Sequence, residues 1–173
     1  MHAHLLPFSA GGAVAAAPAG STVSCRLDAA DDSGWLLALT DTTDAPFEVE
    51  HLHGHPDGAG TSATVVEFNG PRDATQVAAD QRAGRDRIAP AAMAVPGVLG
   101  AIVLRAADGA MVTVVFADSP ATLEASSRAI LSTPLLPGED PALLGGPQRY
   151  TTCQVIGDDV ADILRRTGAQ VTS

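Results

Sequence analysis

At 173 residues the chain is long enough to bury a core without disulfide staples, and aliphatic residues must supply that core because aromatics are only 3% of it. Twenty acids against ten Arg and no Lys give a net charge of −10, which repels a phosphate backbone and excludes nucleic acid as a partner. The apolar stretches are strand-sized and broken by Gly or Pro, short of the roughly 20 residues a spanning helix needs, so no membrane partner is expected.

An Arg-only, Ala/Gly/Asp-rich composition suggests a high-GC bacterial genome. From the N-terminus, the first sixty residues hold four strand candidates and no long helical pattern: HLLPF, STVSCRLD, GWLLALTD and PFEVEHLH. The intervening stretch AGGAVAAAPAGS has no positive charge before it and is broken by Gly and Pro, unlike a signal peptide, so a cytoplasmic protein is expected. In the fourth candidate, period-two alternation sets Val49, His51, His53 and His55 on one face and Glu48, Glu50 and Leu52 on the other. Three imidazoles on one face can ligate zinc or carry protons near neutral pH. The plain alternative is a solvated strand end. HLHGHPD also resembles the metal-binding turn of metallo-β-lactamase-type hydrolases, but Gly58 replaces the second Asp-adjacent His and no His follows residue 55 to complete a dinuclear site. With Phe47 and Val49 inward, the alternation carries His51 and His53 into or around the interior, while Pro56 frays the strand at His55.

From Ala63 the run ATVVEF reads as a strand ending at Asn69-Gly70-Pro71. Recurring small and apolar residues from Pro71 to Val95 predict an amphipathic helix, bent or shortened near Pro90. Pro96-Gly97 closes it, and VLGAIVLR and MVTVVFAD form a hairpin across an Ala-Ala-Asp-Gly turn. Ser119-Pro120 opens a second helix, PATLEASSRAIL. A Pro/Gly-rich loop leads to the strand RYTTCQVI, and Asp158 and Asp159 are expected to cap a terminal helix bearing Val160, Ile163 and Leu164. Residues 61–173 thus read as a complete β-α-β-β-α-β unit and residues 1–60 as a degenerate, strand-rich half-unit. An ungapped shift of 77 residues carries Ala29-Ala30-Asp31 onto Ala106-Ala107-Asp108, Trp35 to Leu39 onto Val112 to Phe116, and Asp41 onto Asp118, so a hairpin and its exit Asp are repeated. The fold class is α+β, ferredoxin-like, with antiparallel sheets and an intrachain pseudo-duplication.

Between Val65 and Ile156, the element order, the Pro96-Gly97-Val98 entry into the hairpin, the Ala117-Asp118-Ser119-Pro120 exit and the closing strand resemble the antibiotic biosynthesis monooxygenase-like superfamily of dimeric α+β barrels. The resemblance covers a little over half the chain. It implies a four-stranded antiparallel sheet that pairs face to face with a second one around an apolar pocket. If the N-terminal strands are a degenerate copy, one chain supplies both sheets, and a monomer or a homodimer through other surfaces is expected. Implied activities are cofactor-free oxygenation of aromatic polyketides and oxidative haem degradation. Asn69 falls where haem-degrading members carry a functional Asn, although an Asn before a helix also serves as a turn or cap residue. Residues 120–132 hold no counterpart of the iron-ligating His of those members, and the C-terminal unit lacks the Trp that several add, which argues against haem degradation.

The functional expectation is binding, and cofactor-free oxidation, of a small apolar or aromatic molecule in the barrel lumen, with no cofactor. Asn69, Trp35, Tyr150, His51 and His53 are the pocket candidates, and no catalytic residue is assigned. Two alternatives stand beside it: a non-catalytic structural or interaction protein whose barrel its own side chains fill, and a metal-binding protein using His51, His53 and His55. No Ser-His-Asp order, phosphate-cradling Gly loop or Lys nucleophile can be assembled, and Cys25 and Cys153 lack any metal-ligand or redox spacing.

Overall fold

The computed structural model describes residues 1–9, 16–54, 60–157 and 160–168. Eight strands, β1 (His2–Phe8), β2 (Ser21–Ala29), β3 (Gly34–Thr40), β4 (Phe47–Gly54), β5 (Ser62–Phe68), β6 (Val98–Ala106), β7 (Met111–Ala117) and β8 (Arg149–Ile156), run antiparallel to their neighbours. They close into one barrel in the order β1-β3-β2-β8-β5-β7-β6-β4, and β4 pairs back onto β1. Within each half the order is the same: fourth, first, third, second strand. One chain therefore provides both four-stranded sheets.

The repeat extends to register. A shift of 77 residues carries β2 onto β6 and β3 onto β7 end for end. Both hairpins are interrupted by a bulge at the same place, between Ser21 and Val23 in one and between Val98 and Gly100 in the other. Bulges are positional features of a strand pair. We propose on this basis that residues 1–60 and 61–173 are the reduced and the complete copy of one unit.

Among the described residues the helices belong to the second copy: α1 (Ala74–Ala83), α2 (Ala89–Met93), α3 (Pro120–Ser132) and α4 (Val160–Gly168). In the first copy, residues 41–46 join β3 to β4 without a helix. α1 begins at Ala74 rather than at Pro71, because Asp73 is the residue that caps it. The Asp73 carboxylate accepts from the Thr75 and Gln76 amides while the Asp73 amide donates to Gln76 Oε1. Pro90 does not end the helical segment. A π-helical turn over Gly84–Ile88 links α1 to α2, and Pro90 stands in the first turn of α2, where a residue without an N–H is tolerated. The Asp158 and Asp159 caps lie outside the described residues, and no helix among the described residues is long and apolar enough to cross a membrane.

Alternate residues of the strands meet in one continuous core: Leu27, Leu37, Leu39, Val65, Ile102, Leu104, Val114 and Phe116 are fully buried there. An eight-stranded barrel is just wide enough for side chains to fill. α4 lies across the end of the barrel where β4 and β8 finish, adding Val160, Ile163 and Leu164 to the core. Two glycines make that seat. Gly54 pairs with Gly100, and a Cβ on Gly100 would stand 2.6 Å from both the His53 carbonyl oxygen and Leu164 Cδ2. Gly100→Ala is expected to destabilise the protein by about 1–3 kcal/mol through this overpacking. Gly84→Ala, at a helical position with open space around the added methyl, is expected to stabilise it by about 0.5–1 kcal/mol. Denaturant midpoints check both, and equal effects of the two substitutions would contradict this packing.

Candidate functional site

The histidine strand departs from its expected alternation. Phe47 and Val49 pack on the core, but the β4–β6 register shifts between Val49 and His51, leaving Glu50 as the extra residue of a bulge. Beyond it His51 pairs with Val103 and His53 with Ala101, on the face opposite to the core residues Ile102 and Leu104. The expectation that His51 and His53 continue the inward face of Phe47 and Val49 is thereby corrected: an inserted residue reverses the parity of everything after it. Both imidazoles are half-buried, with ring centroids 6.1 Å apart. Burial first, and His51 second, lower the His53 pKa from its ordinary value. Among the described residues no group of three or more His, Cys, Asp or Glu is placed to hold a metal ion, and His55 lies outside them.

The bulge delivers Glu50 to a polar cluster on the outer face of the sheet. Arg105 grips Glu50 through both Nε (2.9 Å) and Nη2 (2.8 Å), and Gln81 donates to the same carboxylate. Arg105 Nη1 donates to the Gly109 carbonyl at 3.1 Å and lies 3.8 Å from Asp80, which Arg72 binds at 2.7 Å. Burial pushes the Glu50 pKa up, but the Arg105 and Gln81 hydrogen bonds outweigh it and hold the group below its usual value. At Asp80 burial prevails over Arg72 and Arg105, and the pKa is raised. No motif marked this cluster in the sequence; the available signal was a charged residue, Arg105, closing an apolar strand run.

Trp35 and Arg149 meet at the end of the barrel opposite α4. Trp35 is 4% exposed and belongs to the core, and the Arg149 guanidinium lies over its ring at 5.4 Å from the centroid. Arg149 reaches there from the start of β8, pairing with Glu67 across the strands, and Glu67 lies 3.8 Å away. Tyr150, the next residue, must point to the other face of the sheet. It is half exposed, and its hydroxyl shares a 2.7 Å hydrogen bond with Ser127 of α3. Asn69 is exposed and offers its amide to Gln148 at 2.7 Å. The structure thus brings Trp35 to the lumen, His51 and His53 to the outer face of β4, and Tyr150 and Asn69 to two further places. Cys25 and Cys153 are buried thiols, and burial with the charges of Asp28 and Asp31 pushes Cys153 up to about 12, far from a reactive thiolate.

The His53 shift has a sign that solution measurements can read. A histidine whose folded pKa is depressed binds its proton better in the unfolded chain, so its contribution is fully present above the unfolded value of about 6.5 and is lost as pH falls through the folded one. Denaturation midpoints are expected to drop between neutral and mildly acidic pH, and His53→Gln to flatten that drop. An unaltered drop in the variant would place the proton uptake elsewhere. For the outer cluster, Arg105→Met strands Glu50 behind a mostly buried surface and is expected to cost about 3 kcal/mol in the same assay.

No protein-family model matches the chain, and no curated protein matches it. Solved structures do. An anthrone oxidase-like protein superposes with a TM-score of 0.53 at 14% identity, covering 90% of this chain and 91% of that one. A putative monooxygenase from Lactobacillus acidophilus gives 0.51 at 5% identity, covering 80% and 78%. A major regulator of staphylococcal pathogenesis gives 0.50 at 13% identity, covering 76% and 82%. At such identities the likeness is one of fold, and one fold hosts several functions. The chain is an α+β barrel that shares its fold with the anthrone oxidase-like protein and the putative monooxygenase, with both sheets on a single polypeptide.

Proposed function

We propose that this chain binds a small apolar or aromatic molecule at the Trp35 mouth of its barrel, and that the same place serves cofactor-free oxidation. The observation that carries the reading is the pairing of a buried indole with an exposed lid. Trp35 is 4% exposed, yet the Arg149 side chain above it is 60% exposed, so a side-chain rotation uncovers flat apolar surface at the lumen end. A planar ligand stacks there in place of the guanidinium. The displaced cation remains within reach to hold the oxyanion of a deprotonated substrate, which is the assistance that direct attack by oxygen requires of a protein.

A second reading has its own support. The lumen core is continuous from Trp35 through Leu37 and Leu39 to Ile163 and Leu164 of α4, as in a barrel filled by its own side chains and acting as a scaffold.

Trp35 is the single Trp of the chain, so its fluorescence reports on the mouth directly. Anthrone is a rational probe, given the neighbour described as anthrone oxidase-like. Under nitrogen it is expected to change Trp35 emission saturably, and Arg149→Ala to alter the affinity at least several-fold. Admission of oxygen tests turnover: anthrone and one O2 give anthraquinone and water, one oxygen atom entering the ring carbon and the other leaving with its two hydrogens. Quinone formation faster than in buffer supports oxidation, binding without it leaves a binding protein, and no saturable change assigns the barrel to the scaffold reading.

A further inference from the structure

Two side chains on the outer face of β4 stand half-buried without a polar partner. His51 and His53 lie two residues apart on that face, beyond the bulge at Glu50, and their neighbours across the ladder are Val103 and Ala101. α2, which packs against β4, offers the run Ala-Pro-Ala-Ala-Met. None of these neighbouring side chains carries a hydroxyl, an amide or a charge. The adjoining carboxylate of Glu50 is already held by Arg105 and Gln81. Among the described residues no hydrogen bond reaches either ring, and the ring nitrogens are not sealed from solvent.

A neutral imidazole keeps a lone pair on one nitrogen, so two rings on one face present two lone pairs to the same solvent-accessible space. A late first-row divalent ion is the ligand that takes both at once. With a metal–nitrogen bond of about 2.1 Å and about 1.1 Å from ring centre to nitrogen, two imidazoles on one ion have centres roughly 4.5–6.4 Å apart, from a right-angled to a linear arrangement. The His51 and His53 centroids stand 6.1 Å apart, inside that range. Tetrahedral zinc asks for about 5.2 Å, an approach of about 1 Å that rotation of the two side chains supplies. His2 and His4 share the same spacing on β1, but no ring contact joins them. The net charge of −10 draws cations toward the protein. Burial and the neighbouring ring also favour the uncharged form of His53 that a metal requires.

We propose that His51 and His53 form a two-histidine site for a divalent ion of the zinc class, separate from the Trp35 mouth, with water completing the coordination.

The test adds zinc(II) alone to the full chain, free of any histidine tag, in a non-chelating buffer near neutral pH, and reads binding by calorimetry and by imidazole nitrogen chemical shifts. Saturable one-to-one binding is expected, with His51 and His53 the rings that shift. His51→Ala and His53→Ala are each expected to weaken binding at least ten-fold while the melting temperature without zinc stays close to that of the parent. His2→Ala is expected to leave binding unchanged, as is Arg149→Ala, which separates this site from the mouth. A free peptide spanning residues 47–54 is expected to bind at least ten-fold more weakly than the protein, because only the paired strand and its bulge hold both rings on one face; this comparison keeps the question decidable if a histidine variant fails to fold. No saturable binding, an affinity equal to that of the peptide, binding undiminished in either His51→Ala or His53→Ala, or a loss on His2→Ala in their place would each overturn the assignment.

Discussion

Closure of the barrel along two seams, β2 with β8 and β4 with β6, is the constraint on which the remaining structure rests. A four-stranded sheet with helices on one side exposes two unpaired edges and one apolar face. Both liabilities disappear when a second sheet faces the first. Here the second sheet is covalently attached, so the effective concentration of one for the other is set by a short connection rather than by dimerisation. Each seam joins a strand of one copy to a strand of the other, and neither half is complete without its counterpart.

The seam between β4 and β6 shows how the constraint is met locally. An uninterrupted β4 would turn His51 and His53 toward Ile102 and Leu104, placing two imidazoles among aliphatic side chains with no partners, at a cost of a few kcal/mol. The bulge at Glu50 avoids this. It keeps the pairing through to Gly54, where Leu164 of α4 approaches the barrel. It also presents Glu50 to Arg105, through which the first copy is bonded to the Gly109 turn and, by way of Asp80 and Arg72, to α1 and the α3–β8 connection. The ion pairs lose solvation and gain little net stability. What they supply is register, since a slip of one residue would separate Glu50 from Arg105.

The elements were legible in the sequence where local pattern and tertiary context agree. The repeated hairpin could be read because β-branched runs flank the same Ala-Ala-Asp turn twice, and the strand bounds differ by the same 77 residues in the structure. Bulges and caps were not legible in the same way. Glu50 carries no Gly or Pro to announce an inserted residue, so its effect on His51 and His53 emerges only from pairing with β6. Asp73 and Gln76 form a capping box, but Pro71 two residues earlier is an equally good helix opener by local criteria. Trp35 was legible as a scarce aromatic on an inward face, whereas the partnership with Arg149 depends on β2 lying between β3 and β8. Glu139 gave no signal, because a Pro/Gly-rich loop says nothing about which of its acids an arginine fifty-two residues earlier will bury.

The proposed duplication within one chain would also free the two copies to diverge, which a homodimer cannot do. Position by position the mouth is asymmetric. The shift of 77 places Val112 opposite in role to Trp35. The Ala3–Phe47 and Ala63–Cys153 pairings relate β4 to β8 by 106 residues, which sets Thr43 in the place of Arg149. Only one copy therefore has the indole with a guanidinium over its ring. Among the described residues the far end of the lumen is covered by one helix, α4, where a symmetric pair of chains would bring two terminal helices to the same opening. A barrel covered at one end by α4 and packed along its length by its own side chains leaves the Trp35 end as the place where the proposed ligand would have to enter.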